Sequence, residues 1–210
     1  MRSKHLVAYV RTLFLVSMLA TSLAGQAPRR TNEQIQASYE AHKGDFDYLL
    51  GDWEWTATNR QYGNMRGYWS AVHLEEGGQI LDEYRIVGDK GETYYSTTTL
   101  RAFNAVLDQW ELVSIDKDKG LQDFGTGHLI GGEMLIEQKF GVMTPNPSLW
   151  RIRYHDIAPN RFSWSADRST DGGKTWEKNF QQLEARRIGP PRSIGPLAPA
   201  RKSTEAAPTR

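Results

Sequence analysis

The sequence predicts an all-β domain: one antiparallel up-and-down barrel of about eight to ten strands, preceded by a short helix. Short runs rich in Trp, Tyr, Val, Ile and Thr recur about every ten to fifteen residues and are split by Gly, Asp and Asn clusters, the rhythm of a meander. Within the runs, residues two apart match in character, as in Trp53, Trp55 and Ala57, in Trp150, Ile152 and Tyr154, and in Phe162, Trp164 and Ala166, which places them on one face of a strand. An open sheet of that many strands leaves two unpaired edges, and closure removes them. A sandwich is the competing arrangement, because periodicity does not say where the first and last strands meet.

Residues 1–24 read as a secretory signal peptide: Arg2, Lys4 and Arg11 form a basic start, Leu13 to Ala20 an apolar run, and Ser22 and Ala24 a small-residue cleavage site. The alternative is a retained anchor, but Arg11 breaks the stretch below the roughly 20 apolar residues that a span needs. The chain is therefore expected to be exported, periplasmic or secreted, with no transmembrane segment after cleavage. Residues 25–43 are polar, with Thr31 three positions before Gln34 and then Ile35, Tyr39 and His42 at helical spacing, so a capped amphipathic helix closed by Gly44 is expected.

The barrel domain is expected over 44–188, with strands near 51–59, 65–76, 79–88, 92–103, 107–116, 121–130, 133–140, 148–157, 160–168 and 174–186. Glu76-Gly77-Gly78, Asp89-Lys90-Gly91, Gly131-Gly132 and Asp171-Gly172-Gly173 supply hairpin turns between them. Residues 189–210 hold five prolines, with Ala, Arg and Ser, and almost no bulky apolar side chain; they read as a disordered tail that leaves the domain at Gly189.

The 210-residue chain carries a net charge of +1, and removing Arg2, Lys4 and Arg11 with the signal makes it −2, so no nucleic-acid partner is indicated. With no cysteine, the domain depends on its core and its strand ladders rather than on disulfides.

Three segments carry a resemblance: Phe46-Asp-Tyr-Leu-Leu-Gly-Asp-Trp53, Trp110-Glu-Leu-Val-Ser-Ile-Asp116 and Ser169-Thr-Asp-Gly-Gly-Lys-Thr-Trp176. With these, residues 44–187 resemble the bacterial exported domain-of-unknown-function family 1579, which is similar to the calycins, the lipocalin-like barrels. The resemblance implies a calycin-like barrel in which Gly51-x-Trp53 closes the narrow end. It implies no catalytic set. Residues 169–176 also match the Asp-box of sialidase-type propellers, but only once, so the segment reads as a hairpin in which Asp171 accepts backbone N–H groups and Trp176 packs beneath.

No two of the five histidines lie at a ligand spacing, and no metal site is signalled. No cofactor is indicated either: calycins that hold haem through a histidine open on a glycine-rich motif that does not follow Trp53. The absence of a Gly-x-Ser-x-Gly elbow argues against a serine hydrolase. Of Arg85, Arg101, Arg151, Arg153 and Arg168, at least three are expected to face outward and pair across strands. Seven tryptophans exceed what barrel closure needs, so the expected role is the binding of a small apolar or amphipathic ligand. The candidate ligand-binding residues are Trp55, Trp69, Tyr84, Arg85, Trp110, Trp150, Arg153, Tyr154 and Trp164. The alternative is a calycin-type lyase, isomerase or hydrolase, with His155 or Asp156 near Arg153 and Tyr84 as its acid and base.

Overall fold

The computed structural model describes residues 30–74 and 78–194. The signal-peptide reading, the end of the second expected strand with residues 76 and 77 of the turn after it, and the tail from 195 onward lie outside the described residues.

Helix α1 (Asn32–His42) begins where the sequence places it: Thr31 Oγ1 accepts from the Gln34 backbone N–H, and the Gln34 side chain accepts from the Thr31 N–H. A 3-10 turn (Asp47–Leu49) follows. Ten strands then run in a continuous antiparallel meander: β1 (Gly51–Asn59), β2 (Gly63–Leu74), β3 (Gln79–Val87), β4 (Thr93–Asn104), β5 (Gln109–Asp116), β6 (Gly120–Ile130), β7 (Glu133–Phe140), β8 (Ser148–Ala158), β9 (Arg161–Ser169) and β10 (Glu177–Gly189). Each expected strand boundary falls within three residues of the observed one.

β1 pairs with both β2 and β10, with Trp55 opposite Gly67 on one side and Ala185 on the other. That double pairing closes the barrel and rules out the sandwich. Inward positions along β1, β8 and β9 carry the alternating aromatics that the period of two requires.

One end of the barrel is plugged. Phe46 and Leu49, both fully buried, enter it from the 3-10 turn, and Trp53 donates its indole N–H to the Leu49 carbonyl at 2.7 Å. Phe46 meets Trp110 edge to face at 4.9 Å. Burying each of these rings removes enough apolar surface to stabilise the fold by roughly 1.5–3 kcal/mol. Arg187 on β10 lies 4.1 Å from the Trp53 ring and donates to the carbonyls of Tyr48 and Leu50, so it satisfies the orphan oxygens of the turn and ties the plug to the wall. Helix α1 and the residue that leads into it cover the same end: Arg30 and Ser38 both bind Asp108, and His42 stacks on Phe103.

The chain does not leave the domain at Gly189. Residues Ser193–Ile194 form β11, which runs parallel to β2 opposite His73 and Leu74, and Arg192 holds both carboxylate oxygens of Asp52. The missing term in the sequence reading was polar. β2 extends past the start of β1 and leaves ladder groups free, and a short segment needs no apolar content to use them.

Candidate functional site

Above the plug the barrel encloses a cavity of about 1390 Å³, open at the far end, where Tyr62, Tyr94 and Lys119 form part of the rim. Usual small-molecule sites occupy roughly 300–1,000 Å³, so the space is ample.

The cavity floor is an ion pair. Asp82 on β3, 1 % exposed, accepts from Arg101 Nε at 2.6 Å and from the Trp69 indole at 2.8 Å. The Arg101 guanidinium lies 4.9 Å from the Phe46 ring and 5.9 Å from those of Trp69 and Tyr154. Burial works against the charge on Arg101, and Asp82 more than restores it, so its affinity for the proton ends raised. Burial likewise pushes the Tyr154 hydroxyl up to about 12, with Arg101 pulling the other way. Neither Tyr154 nor the paired arginine is set to exchange protons at neutral pH.

Aromatic walls rise from this floor. Trp55 and Tyr84 stack at 4.8 Å with their planes 5° apart, and Trp69 meets Tyr84 edge on at 5.3 Å. Higher up, Trp150 packs against Phe140 at 5.7 Å and against Phe180 at 5.4 Å. Arg168 lies over Phe180 at 3.7 Å and pairs with Glu177.

On the β5–β6–β7 side the wall turns polar. Asp123 on β6 is 3 % exposed and lines the cavity with Gln138 and Ser114. Burial raises its pKa, and hydrogen bonds from Ser114 and Gln138 offset only part of that. Its Oδ1 has no partner among the described residues; Trp55 Nε1, Tyr84 Oη and Arg168 Nε are buried and unpartnered as well. Burial pushes the Tyr84 and Tyr95 hydroxyls up, and for Tyr95 the Asp123 charge adds to it.

Of the sequence-derived candidates, the structure gathers Trp55, Trp69, Tyr84, Trp150, Tyr154 and Trp164 in the interior. Trp110 is fully buried but sits beneath the floor, against Phe46 and Phe103. Arg85 and Arg153 point outward, paired with Glu83 at 3.0 Å and Glu133 at 3.7 Å. Their exclusion follows from the strand period: each is the direct neighbour of an inward tyrosine, Tyr84 or Tyr154, and neighbours face opposite ways.

The acid–base set around His155 is not assembled. His155 and Asp156 bind each other at 2.6 Å near the plugged end, and Arg153 is on the outer face. Among the described residues no three His, Asp or Glu side chains converge as metal ligands would. The Asp-box hairpin is structural: Asp171 accepts from the Thr175 backbone at 3.0 Å and its hydroxyl at 2.7 Å, and Gly172 and Gly173 take positive φ. Trp176 donates to the Gly173 carbonyl and stacks on Arg151 at 4.1 Å.

No family model and no curated protein matches this chain. Among solved structures it is similar to Rv2717c from M. tuberculosis, at 15 % identity over 72 % of this chain and 97 % of that one, with a TM-score of 0.48. It is also similar to two redesigned β-barrels. One, mFAP1 bound to DFHBI, shares 8 % identity over 70 % of this chain and 99 % of that one at a TM-score of 0.37, and the other, b11L5F_LGL, shares 11 % over 70 % and 96 % at 0.36.

Proposed function

We propose that this chain is an exported barrel of the family 1579 kind that binds a small, partly apolar molecule in its cavity. The observation that carries the reading is that three residues lining a cavity of about 1390 Å³ hold buried polar atoms without partners among the described residues: Tyr84 Oη, Asp123 Oδ1 and Arg168 Nε. A buried polar atom left unpaired costs roughly 1–3 kcal/mol. A barrel serving only as a packed scaffold would fill the volume and pair those atoms. A ligand with an aromatic or aliphatic body and a few polar groups answers both. Export rests on the basic and apolar residues of the first 24 positions.

Native mass spectrometry of protein purified from its own host, joined to tryptophan-fluorescence titrations with lipids and aromatic acids and amines, tests the reading. A retained mass, or a saturable change in emission from the interior indoles, is the expected result. A bare mass together with no response to any compound would end it.

A further inference from the structure

We infer that the ligand is an organic cation, an amine or amidine on an apolar body, whose N–H groups bind Asp123 at the β6 wall. The inference rests on the ligand-binding reading above and narrows it.

The argument begins with the charges of the interior. Asp82 is matched by Arg101 through two contacts at the floor, and Arg168 near the mouth is matched by Glu177. Asp116, buried on β5, has its Oδ1 engaged by the turn N–H groups of Asp118 at 2.8 Å and Lys119 at 2.9 Å. Asp123 remains. It is 3 % exposed, has no cationic partner within ion-pair distance among the described residues, and keeps one oxygen without any hydrogen bond. The groups that approach it from neighbouring strands are Ser114 on β5, Tyr95 on β4 and Gln138 on β7, with the Asp82–Arg101 pair farther off. None is a free positive charge. A buried carboxylate in that setting is costly unless something positive arrives.

Its neighbourhood also suits a cation sterically. Asp123 is paired in register with Phe140, and Phe140 packs against Trp150, so aromatic faces stand beside the carboxylate. An ammonium held between a carboxylate and indole or phenyl faces gains both an ion pair and a cation–π contact in a site shielded from water. An anionic ligand beside Asp123 meets a like charge there, while the buried Arg101 below is already committed to Asp82 and Arg168 to Glu177. The inward positions that follow on β6, Gly125 and Gly127, are covered by Leu112, Ile136 and Met134, and Leu112 and Ile136 give the apolar body a wall beside the carboxylate.

Three probes of one shape test the inference on the purified protein: 1-naphthylmethylamine, 1-naphthylmethanol and 1-naphthoic acid, each titrated by calorimetry at neutral pH. The amine is expected to bind about tenfold or more tightly than the alcohol, and the acid most weakly. In Asp123→Asn the amine should lose about that same factor while the alcohol stays within about twofold. If the alcohol or the acid binds the native protein as well as the amine does, or if Asp123→Asn leaves amine affinity unchanged, the cation is wrong and ligand binding stands. If none of the three binds, the cation is overturned, while the ligand-binding reading stands or falls on the native mass spectrometry and titrations described above. The comparison of probes on the native protein stays decisive even if the variant folds poorly.

Discussion

Gly67 on β2 stands directly across from Trp55 on β1, and a Cβ at Gly67 would lie 2.3 Å from Trp55 Cζ2 and 1.8 Å from the Arg85 carbonyl. The indole thus reaches the barrel centre through a gap that only hydrogen can leave. Gly67→Ala should cost about 3 kcal/mol through overpacking and shift the emission of the interior indoles. Urea denaturation with fluorescence detection checks both; a variant as stable as the native chain would show that the strand yields more than close packing allows.

The floor pair gives a second expectation. Asp82→Asn leaves Arg101 buried with its counter-charge gone, and breaking a pair of that kind destabilises by about 3–5 kcal/mol. Replacing Arg85, whose partner Glu83 is near half exposed, by Ala should change the midpoint little, since exposed pairs contribute about 0–1 kcal/mol. Thermal melts of the two variants side by side separate the inward arginine from the outward one.

Asp123 predicts the reverse sign. Its folded pKa lies above its unfolded value, so the folded state holds the proton more firmly. Stability from that difference is full below the unfolded pKa and is lost as pH rises through the folded one. At neutral pH this carboxyl therefore weakens the fold relative to a neutral group, and Asp123→Asn should melt higher than the native protein at about pH 7, with the gain fading toward about pH 3. A variant that melts lower at neutral pH would mean the carboxylate supports the fold.

For Asp171 the shift runs the other way: hydrogen bonds from Thr175, backbone first, hold its pKa down at about 2. A carboxyl titration followed by NMR should find that midpoint in the native protein and one moved only part of the way toward the ordinary carboxylate range in Thr175→Ala, which keeps the backbone donor and the Ser169 hydroxyl but loses the Thr175 hydroxyl. An unchanged midpoint would place the whole effect on the donors that remain.

The C-terminal strand is open to a truncation test. A chain ending at Ile188 loses β11 and the contact of Arg192 with Asp52, while one ending at Ile194 keeps both. The shorter chain should melt roughly 2–6 °C lower, since each kcal/mol moves the midpoint of a domain this size by about 2–4 °C. Equal midpoints would show that the contact to β2 contributes nothing.

The strands, the capped helix and the plug around Trp53 were legible because each is written locally, in a period, a capping box or a Gly-x-Trp. The aromatic half of the site was legible for the same reason. The polar half was not. On β6 the pattern is inverted, with Phe124 52 % exposed outside and Asp123, Gly125 and Gly127 inside. A reading that sends phenylalanine inward discards the strand that holds the carboxylate. Arg101 was in view among five arginines, yet only its register opposite Ile80 and Leu112, which share its inward face with Asp82 one step along, distinguishes it.

Arg30 meets the β4–β5 turn and Ile194 lies beside Leu74, so the described chain enters and leaves at the plugged end. Whatever is joined directly at Arg30 or at Ile194, be it a fusion partner, an affinity matrix or a sensor surface, therefore starts behind the molecule. The mouth then points away from the support, and immobilised protein should take up solutes as freely as protein in solution.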